Sequence, residues 1–240
     1  MKALIIDDER LARQELKTLL APYPEIEIIG ESNNAELAIV QINEQNPDLI
    51  FLDIQMPGKN GFEMLQELVS APEVIFITAY DEYALKAFEV NALDYLLKPI
   101  QEKRLDDAIK KILNKMPETR KGRKDTHAEL TEEDQVFVKD GEKCWFVKLV
   151  DIRLFESEGN YVRVYFDKFK PLILKSLNSL EERLNNRMFF RVRRKHIINL
   201  KWVESIENWF NGGLMVKLRG GEQVEISRRQ SAKFKEIMSL

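Results

Sequence analysis

Residues 49–58 read Leu49-Ile50-Phe51-Leu52-Asp53-Ile54-Gln55-Met56-Pro57-Gly58, and Gly61 follows three positions later. Four apolar residues without alternation predict a short strand buried on both faces of a parallel sheet. Asp53 ends that strand, at the carboxyl edge where open α/β sheets place their ligands. Outward from it, apolar runs at 3–6, 26–29, 48–52, 74–78 and 94–97 predict five strands. Helical spacing over 10–20, 34–43, 61–69, 83–90 and 102–113 predicts the helices between and after them, with Asn34 as a cap. Five βα units of this size predict a doubly wound, five-stranded parallel sheet with helices on both faces.

Asp7 and Asp8 then follow strand one, Asp53 ends strand three, Thr78 ends strand four and Lys98 follows strand five. Taken singly, each has an ordinary structural explanation: a cap, a strand residue, a Lys-Pro turn. Together they converge on one sheet edge, where three carboxylates repel one another unless a cation neutralises them. An all-oxygen donor set beside a place for phosphate suits Mg²⁺. Lys98 and the Thr78 hydroxyl are the point charge and short donor that a phosphoryl oxygen needs.

This set (Asp7-Asp8, Asp53 in Leu-Asp-Ile-Gln-Met-Pro-Gly, Thr78-Ala79 and Lys98-Pro99) resembles the receiver domain of bacterial two-component response regulators, a flavodoxin-like fold, over residues 1–115. The resemblance implies that Asp53 accepts a phosphoryl group from the phosphohistidine of a sensor histidine kinase. It implies Mg²⁺ ligation by Asp8, Asp53 and the backbone carbonyl of Gln55, with Asp7 acting through water. Lys98, after a cis peptide bond to Pro99, would pair with the phosphoryl group. Thr78 would move towards it, and Tyr95, the switch aromatic, would rotate inward. Gln55 and Tyr80, each two residues beyond a reacting position, would border the path of the hydrolytic water. The bulk of Tyr80 is expected to slow hydrolysis. Haloacid-dehalogenase phosphatases share the aspartate nucleophile but need a second aspartate two residues later as general acid. Gln55 stands there and cannot serve, so no enzyme is expected beyond slow self-dephosphorylation.

The 240 residues are 44% hydrophobic and 32% charged, as in ordinary globular proteins. No apolar run approaches the ~20 residues of a spanning helix. Asp7 and Asp8 come too early for a signal-peptide core, so a cytoplasmic location is expected, with no membrane partner. Cys144 is the only cysteine, which excludes an intramolecular disulfide and a Cys-rich zinc site. The net charge of −3 is unevenly spread. Residues 1–113 hold 11 Lys and Arg against 21 Asp and Glu, whereas 136–240 hold 21 against 13. An acidic half joined to a basic one predicts two domains with different partners, the second a polyanion. Residues 116–134 lack apolar periodicity and contain Pro117, Gly122 and a dense charge tract, so they read as a linker between domains at 1–115 and 135–240.

Beyond the linker the periodicity becomes two. Strands are predicted over 136–138, 143–147, 152–155, 161–166, 172–174, 189–194, 214–218 and 223–226. Asn211-Gly212-Gly213 and Gly220-Gly221 mark hairpin turns. Ser176 caps a helix carrying Leu177, Leu180 and Leu184, and 231–238 reads as a closing helix. This half has no Ser/His/Asp set. Cys144 reads as a core thiol and His196 as a packed or phosphate-facing residue. Arg187, Arg191, Arg193, Arg194 and Lys195 crowd nine positions beside Phe189 and Phe190, and Arg228-Arg229 follow a strand end. Arginine offers bidentate contacts to phosphate and to guanine, which favours nucleic acid over an acidic protein partner. RNA is disfavoured for want of a stacking platform.

Three stretches, in order, resemble the mostly β LytTR DNA-binding domain: Ile152-Arg153-Leu154-Phe155-Glu156-Ser157-Glu158-Gly159-Asn160-Tyr161, Phe190-Arg191-Val192-Arg193-Arg194-Lys195-His196-Ile197-Ile198-Asn199 and Ile226-Ser227-Arg228-Arg229. The resemblance implies that loops, not a recognition helix, read DNA, through Asn160 and Tyr161, then Arg193, Arg194 and Lys195, then Arg228. Where the family usually has His, Arg, Ser and Tyr, this chain has Arg193 to His196, which adds charge. The whole then reads as a response regulator and transcription factor. Phosphorylation would alter the surface around Tyr95 and 83–90, promote a homodimer and place two basic domains on paired repeats of double-stranded DNA.

Overall fold

A computed structural model describes residues 1–68, 70–79, 94–115, 130–141 and 143–238. Backbone contacts divide the chain into two units, residues 1–128 with 141–146, and 129–140 with 147–240.

The first unit alternates strands and helices: β1 (Lys2–Ile6), α1 (Arg10–Leu20), β2 (Glu27–Ser32), α2 (Ala35–Gln45), β3 (Leu49–Leu52), α3 (Gly61–Glu67), β4 (Glu73–Thr78), β5 (Asp94–Leu97) and α4 (Glu102–Lys115). The five strands form one parallel sheet in the order β2-β1-β3-β4-β5. All four residues of β3 and all six of β4 are buried. That explains why both strands read as apolar runs without alternation: helices cover both faces. One face packs Ile5, Phe51 and Ile75 against Leu16, Leu20, Leu105, Ile109 and Ile112 of α1 and α4. Asn34 caps α2, accepting from the Leu37 amide at 2.9 Å. Asn60 and Glu63 close a reciprocal capping box on α3, both bonds 3.0 Å long. The sequence reading placed β2 one residue early and three residues short. The expected helix over 83–90 and Tyr80 lie outside the described residues.

The strand order reverses between β1 and β3, the switch point where α/β sheets open a crevice. Ile6 pairs with Leu52, so the next residues, Asp7 and Asp53, emerge side by side. Thr78 pairs with Leu97, which sets Lys98 beyond the end of β4.

The second unit is mostly β. Its strands include β6 (Gln135–Asp140), and β7 (Lys143–Lys148) follows in sequence. Then come β8 (Ile152–Glu158), β9 (Tyr161–Phe166), β10 (Leu172–Ile173), β11 (Phe189–Arg193), β12 (His196–Asn199), β13 (Val203–Asn208), β14 (Leu214–Leu218) and β15 (Gln223–Ile226). A short helix, α5 (Leu177–Glu181), lies between β10 and β11, and α6 (Arg228–Ile237) follows β15. Two antiparallel sheets form, in the orders β10-β9-β8-β12-β11 and β13-β14-β15. Phe234 of α6 is fully buried among Val192, Ile198, Leu214, Val216 and Ile226, which joins both sheets to the helix. Buried Asn199 donates to the Ile152 carbonyl at 2.8 Å and the Leu149 carbonyl at 3.3 Å. Cys144, on β7, is buried and in no disulfide, as expected of a core thiol.

Three readings need correction. Strands β12 and β13 were not expected, and the closing helix starts at Arg228 instead of 231. In β13 the register shifts between Val203 and Ser205, so its apolar residues, Val203 and Ile206, fall three apart and lose the period of two. The first turn of α6 is Arg228-Arg229-Gln230, with no apolar residue to signal it.

Candidate functional site

The acidic site is built on backbone placement. The Asp53 amide donates to the Ile6 carbonyl at 2.8 Å, and the Lys98 amide to the Thr78 carbonyl at 2.9 Å, so each functional residue continues its strand's ladder by one step. From α1, Arg13 donates to the Asp7 carbonyl at 2.7 Å and the Asp8 carbonyl at 3.3 Å, holding the first loop. Gly61 supports the other side: a Cβ there would lie 2.6 Å from the Asp53 carbonyl oxygen, so a side chain would displace the loop that carries Asp53.

The carboxylates of Asp7, Asp8 and Asp53 each place an oxygen within 4.8 Å of the others. Asp7 and Asp53 are buried, and Asp8 is the most open of the three. Lys98 Nζ bridges the buried pair, 2.6 Å from Asp53 Oδ2 and 2.8 Å from Asp7 Oδ2. Asp53 Oδ1 accepts from the Gln55 amide at 3.0 Å, and Asp7 Oδ1 from the Glu9 amide at 2.9 Å. Burial pushes the Asp53 carboxyl above its ordinary range, although Lys98 and the Gln55 amide pull it down. Burial would lower the Lys98 ammonium, but Asp53 and Asp7 outweigh it and hold its pKa up. Three carboxylates against one ammonium leave two negative charges, the charge of a hard divalent cation's complement, and every donor is oxygen. Thr78 is wholly buried and its hydroxyl has no hydrogen-bond partner among the described residues. A buried hydroxyl without a partner costs free energy, which fits a group that bonds only in another state. Tyr95 is buried on β5, opposite Phe76 of β4. The Lys98–Pro99 peptide bond is cis, as the resemblance implies.

In the second unit, the residues expected to meet DNA collect along one edge. Strand β8 ends at Glu158 and β9 starts at Tyr161, with Gly159-Asn160 as their turn. Strand β12 runs antiparallel to β8, with His196 opposite Glu156, so the Arg194-Lys195 turn stands beside the Gly159-Asn160 turn. The Ser157 amide donates to the Lys195 carbonyl at 2.8 Å and fixes the two together. Arg193 pairs with Glu225, one residue before the end of β15, and Gln230 donates to the Arg191 carbonyl at 3.3 Å. The start of α6, with Arg228, is thereby brought to the end of β11. Asn160, Tyr161, Arg193, Arg194, Lys195 and Arg228 are all exposed. The side chains of Arg194, Lys195 and Arg228 enter no ion pair among the described residues.

Two members of the basic cluster are committed elsewhere. Arg191 donates to Asn178 at 2.7 Å, to Glu181 at 2.6 Å and to the carbonyls of Arg193 and Arg194, so it clamps the turn instead of facing outward. Arg193 is held by Glu225. His196 is a packed residue: its Nε2 lies 3.2 Å from Glu156, which also accepts from the Tyr165 hydroxyl. Burial and that bond to Glu156 push the Tyr165 hydroxyl pKa up.

Comparisons with known proteins agree with both halves. The family profile of the response regulator receiver domain matches residues 3–110, and that of the LytTr DNA-binding domain matches residues 142–239. The sensory transduction protein LytT of Enterococcus faecalis is 35% identical over 249 aligned residues, covering 100% of both chains. The transcriptional regulatory protein LytR of Staphylococcus aureus is 34% identical over 250, again covering 100% of both. An uncharacterised response regulatory protein of Vibrio cholerae is 37% identical over 242, covering 99% of this chain and 98% of its own. No helix among the described residues is long and apolar enough to cross a membrane. With relatives matched end to end and both domain profiles in order, the chain belongs to the two-component response regulators that join a receiver domain to a LytTR DNA-binding domain.

Proposed function

We propose that Asp53 is the phosphoacceptor and that its phosphorylation controls self-association and sequence-specific DNA binding. The observation that carries this reading is the edge where Asp53 is bridged to Asp7 by Lys98 while the buried Thr78 hydroxyl lacks a partner among the described residues. A carboxylate oxygen of Asp53 attacks the phosphorus of the sensor kinase's phosphohistidine. The P–N bond breaks and its electron pair stays on the imidazole nitrogen. Asp8, Asp53 and the Gln55 carbonyl would hold Mg²⁺, with Asp7 behind a water; the ion would neutralise charge on the transferring phosphoryl oxygens. Lys98 exchanges its contact with Asp53 for a phosphoryl oxygen, and the Thr78 hydroxyl donates to another. Tyr95 packs into the space that Thr78 leaves. Hydrolysis of the acyl phosphate is slow and unaided by a general acid.

The assigned domains are 1–115 and 135–240, with 116–134 as a linker, in a cytoplasmic protein. The phosphorylated chain forms a homodimer that places Asn160, Tyr161, Arg193, Arg194, Lys195 and Arg228 of each copy on paired duplex repeats. The test treats full-length protein with acetyl phosphate and Mg²⁺. Wild type should gain the mass of one phosphoryl group and sediment faster. Asp53→Asn, and wild type in excess chelator, should do neither. Phosphoryl incorporation by Asp53→Asn equal to that of wild type would sink the assignment.

A further inference from the structure

Among the described residues, three aromatic side chains are strongly exposed: Tyr161 at 46%, Trp209 at 38% and Phe210 at 76%. All three stand on the edge that carries the basic turns. Register requires this for the last two. Asn208, the last residue of β13, pairs with Leu214, and Leu214 pairs with Ile226, the last of β15. The turn from Trp209 to Gly213 therefore emerges beside the Ser227-Arg228 junction. Arg193 ties that junction to the end of β11 through Glu225.

The turn is closed by its own hydrogen bonds and packed against β15, with its rings exposed. The Trp209 amide donates to the Gly213 carbonyl at 2.9 Å, and the Gly213 amide to the Phe210 carbonyl at 3.1 Å. Asn211 adopts a left-handed conformation (φ 54°), which asparagine tolerates better than most residues. A Cβ on Gly213 would lie 2.8 Å from the Ile226 carbonyl, so the turn sits hard against the end of β15. Trp209 and Phe210 pack edge to face, with centroids 4.9 Å apart at 69°. The Arg228 stem runs over Gly212, where a Cβ would meet Arg228 Cδ at 3.5 Å. Phe210 is the most exposed large apolar side chain described, and it is fixed next to an arginine expected to contact DNA.

We infer that the Trp209-Phe210 turn is a fourth DNA-contacting element, in which the Phe210 ring packs on duplex sugars and base edges beside the phosphates engaged by Arg228. This rests on the DNA-binding reading of the basic edge. Apolar side chains contact thymine methyl groups or wedge at base steps in exactly such company of cations. Glu207 and Asn208 precede the turn, so the element adds no positive charge. Its contribution is apolar and releases no counterions.

That separates it from the arginines by experiment. Full-length protein, in Mg²⁺ and beryllofluoride, selects its best duplex from a random pool, and that duplex is titrated at several salt concentrations. Sedimentation in the same buffer reports self-association. Phe210→Ser should weaken binding about tenfold with the salt slope and self-association of wild type. Phe210→Leu should retain most of the affinity. Arg194→Ala and Arg228→Ala should each flatten the slope by about 0.9. Phe210→Ser affinity within about twofold of wild type overturns the inference, and so does a loss that follows lost self-association, which would assign the ring to a second copy of the chain. If the arginine variants also leave affinity and slope unchanged, the DNA-binding reading of the edge fails with it.

Discussion

The receiver edge and the basic edge handle charge in opposite ways. At the first, Asp7 and Asp53 are 5% exposed, Thr78 is fully buried, and a lysine spans the two aspartates. At the second, Arg194 and Lys195 stand in solvent on a turn and Arg228 at the start of α6. Topology accounts for the difference. Parallel strands return by crossovers, so every carboxyl end of the first sheet faces one crevice between covered faces. Antiparallel strands return by hairpins, which project beyond the sheet. Group transfer benefits from desolvated, pre-aimed charges, whereas binding a polyanion benefits from solvated cations that release counterions.

The second unit does contain a buried charge, but at the opposite end. Arg153 is 3% exposed and makes bonds of 2.7 and 2.9 Å to Glu222 and 2.8 Å to the Asp167 carbonyl. Glu222 lies in the β14–β15 turn, away from the β13–β14 turn and the end of β15. If the comparison is right, this pair supports the fold and does not contact DNA. Arg153→Met should therefore produce the largest effect in this unit, about 3 kcal/mol of lost stability as Glu222 loses its partner, measured by denaturant unfolding. Lys170, 3.8 Å from Glu222, should keep the loss at the lower end of that class. The pH dependence has a definite sign. Arg153 holds the Glu222 carboxyl below its ordinary range, so the stabilisation is present above that range and is lost as pH falls through the lowered value. Arg153→Met should flatten that acid limb. An unchanged unfolding midpoint with weakened DNA binding would break the division of labour.

How much of this was legible depends on burial and register. The receiver edge is readable because each candidate residue sits one or two steps past an apolar run, and the parallel order then brings the strand ends together. Asp7, Asp8, Asp53, Thr78 and Lys98 needed no side-chain detail to be found. The basic edge was readable as three charged turns, but not in its pairing. Arg191 belongs to the basic cluster in sequence and is a clamp in the structure, because Glu181 and Asn178 come to it from α5. Arg193 looks free and meets Glu225 from another sheet. The Trp209-Phe210 turn is not legible in sequence, because β13, the strand that delivers it, breaks alternation at its register shift. Adjacent aromatics before Asn211-Gly212, a turn signal already recognised, were the clue available.

A smaller effect sharpens the comparison at the edge itself. Arg194 has no ion-pair partner among the described residues, so its charge is fully available to phosphate. Arg194→Ala should reduce the salt slope of duplex binding by about 0.9 and leave the unfolding midpoint nearly unchanged. A drop in stability without a change in slope would place Arg194 with Arg191 among the residues that shape the turn.

The smallest effect is the most discriminating. Arg193 and Glu225 form a half-exposed pair, a class worth at most ~1 kcal/mol to stability. Glu225→Gln should thus leave the midpoint almost where it was. It also removes a negative charge from the edge proposed to meet DNA and releases an arginine. If exposed cations act here mainly through counterion release, binding should tighten about threefold and the salt slope should steepen by up to about 0.9. The opposite result, weaker binding to the selected duplex with random duplex unaffected, would mean that Glu225 aims the Arg193 fork at a base, as bidentate recognition requires. In that case one pair on the solvated edge would work as Lys98 and Asp7 do on the buried one, and the contrast between the edges would be one of degree.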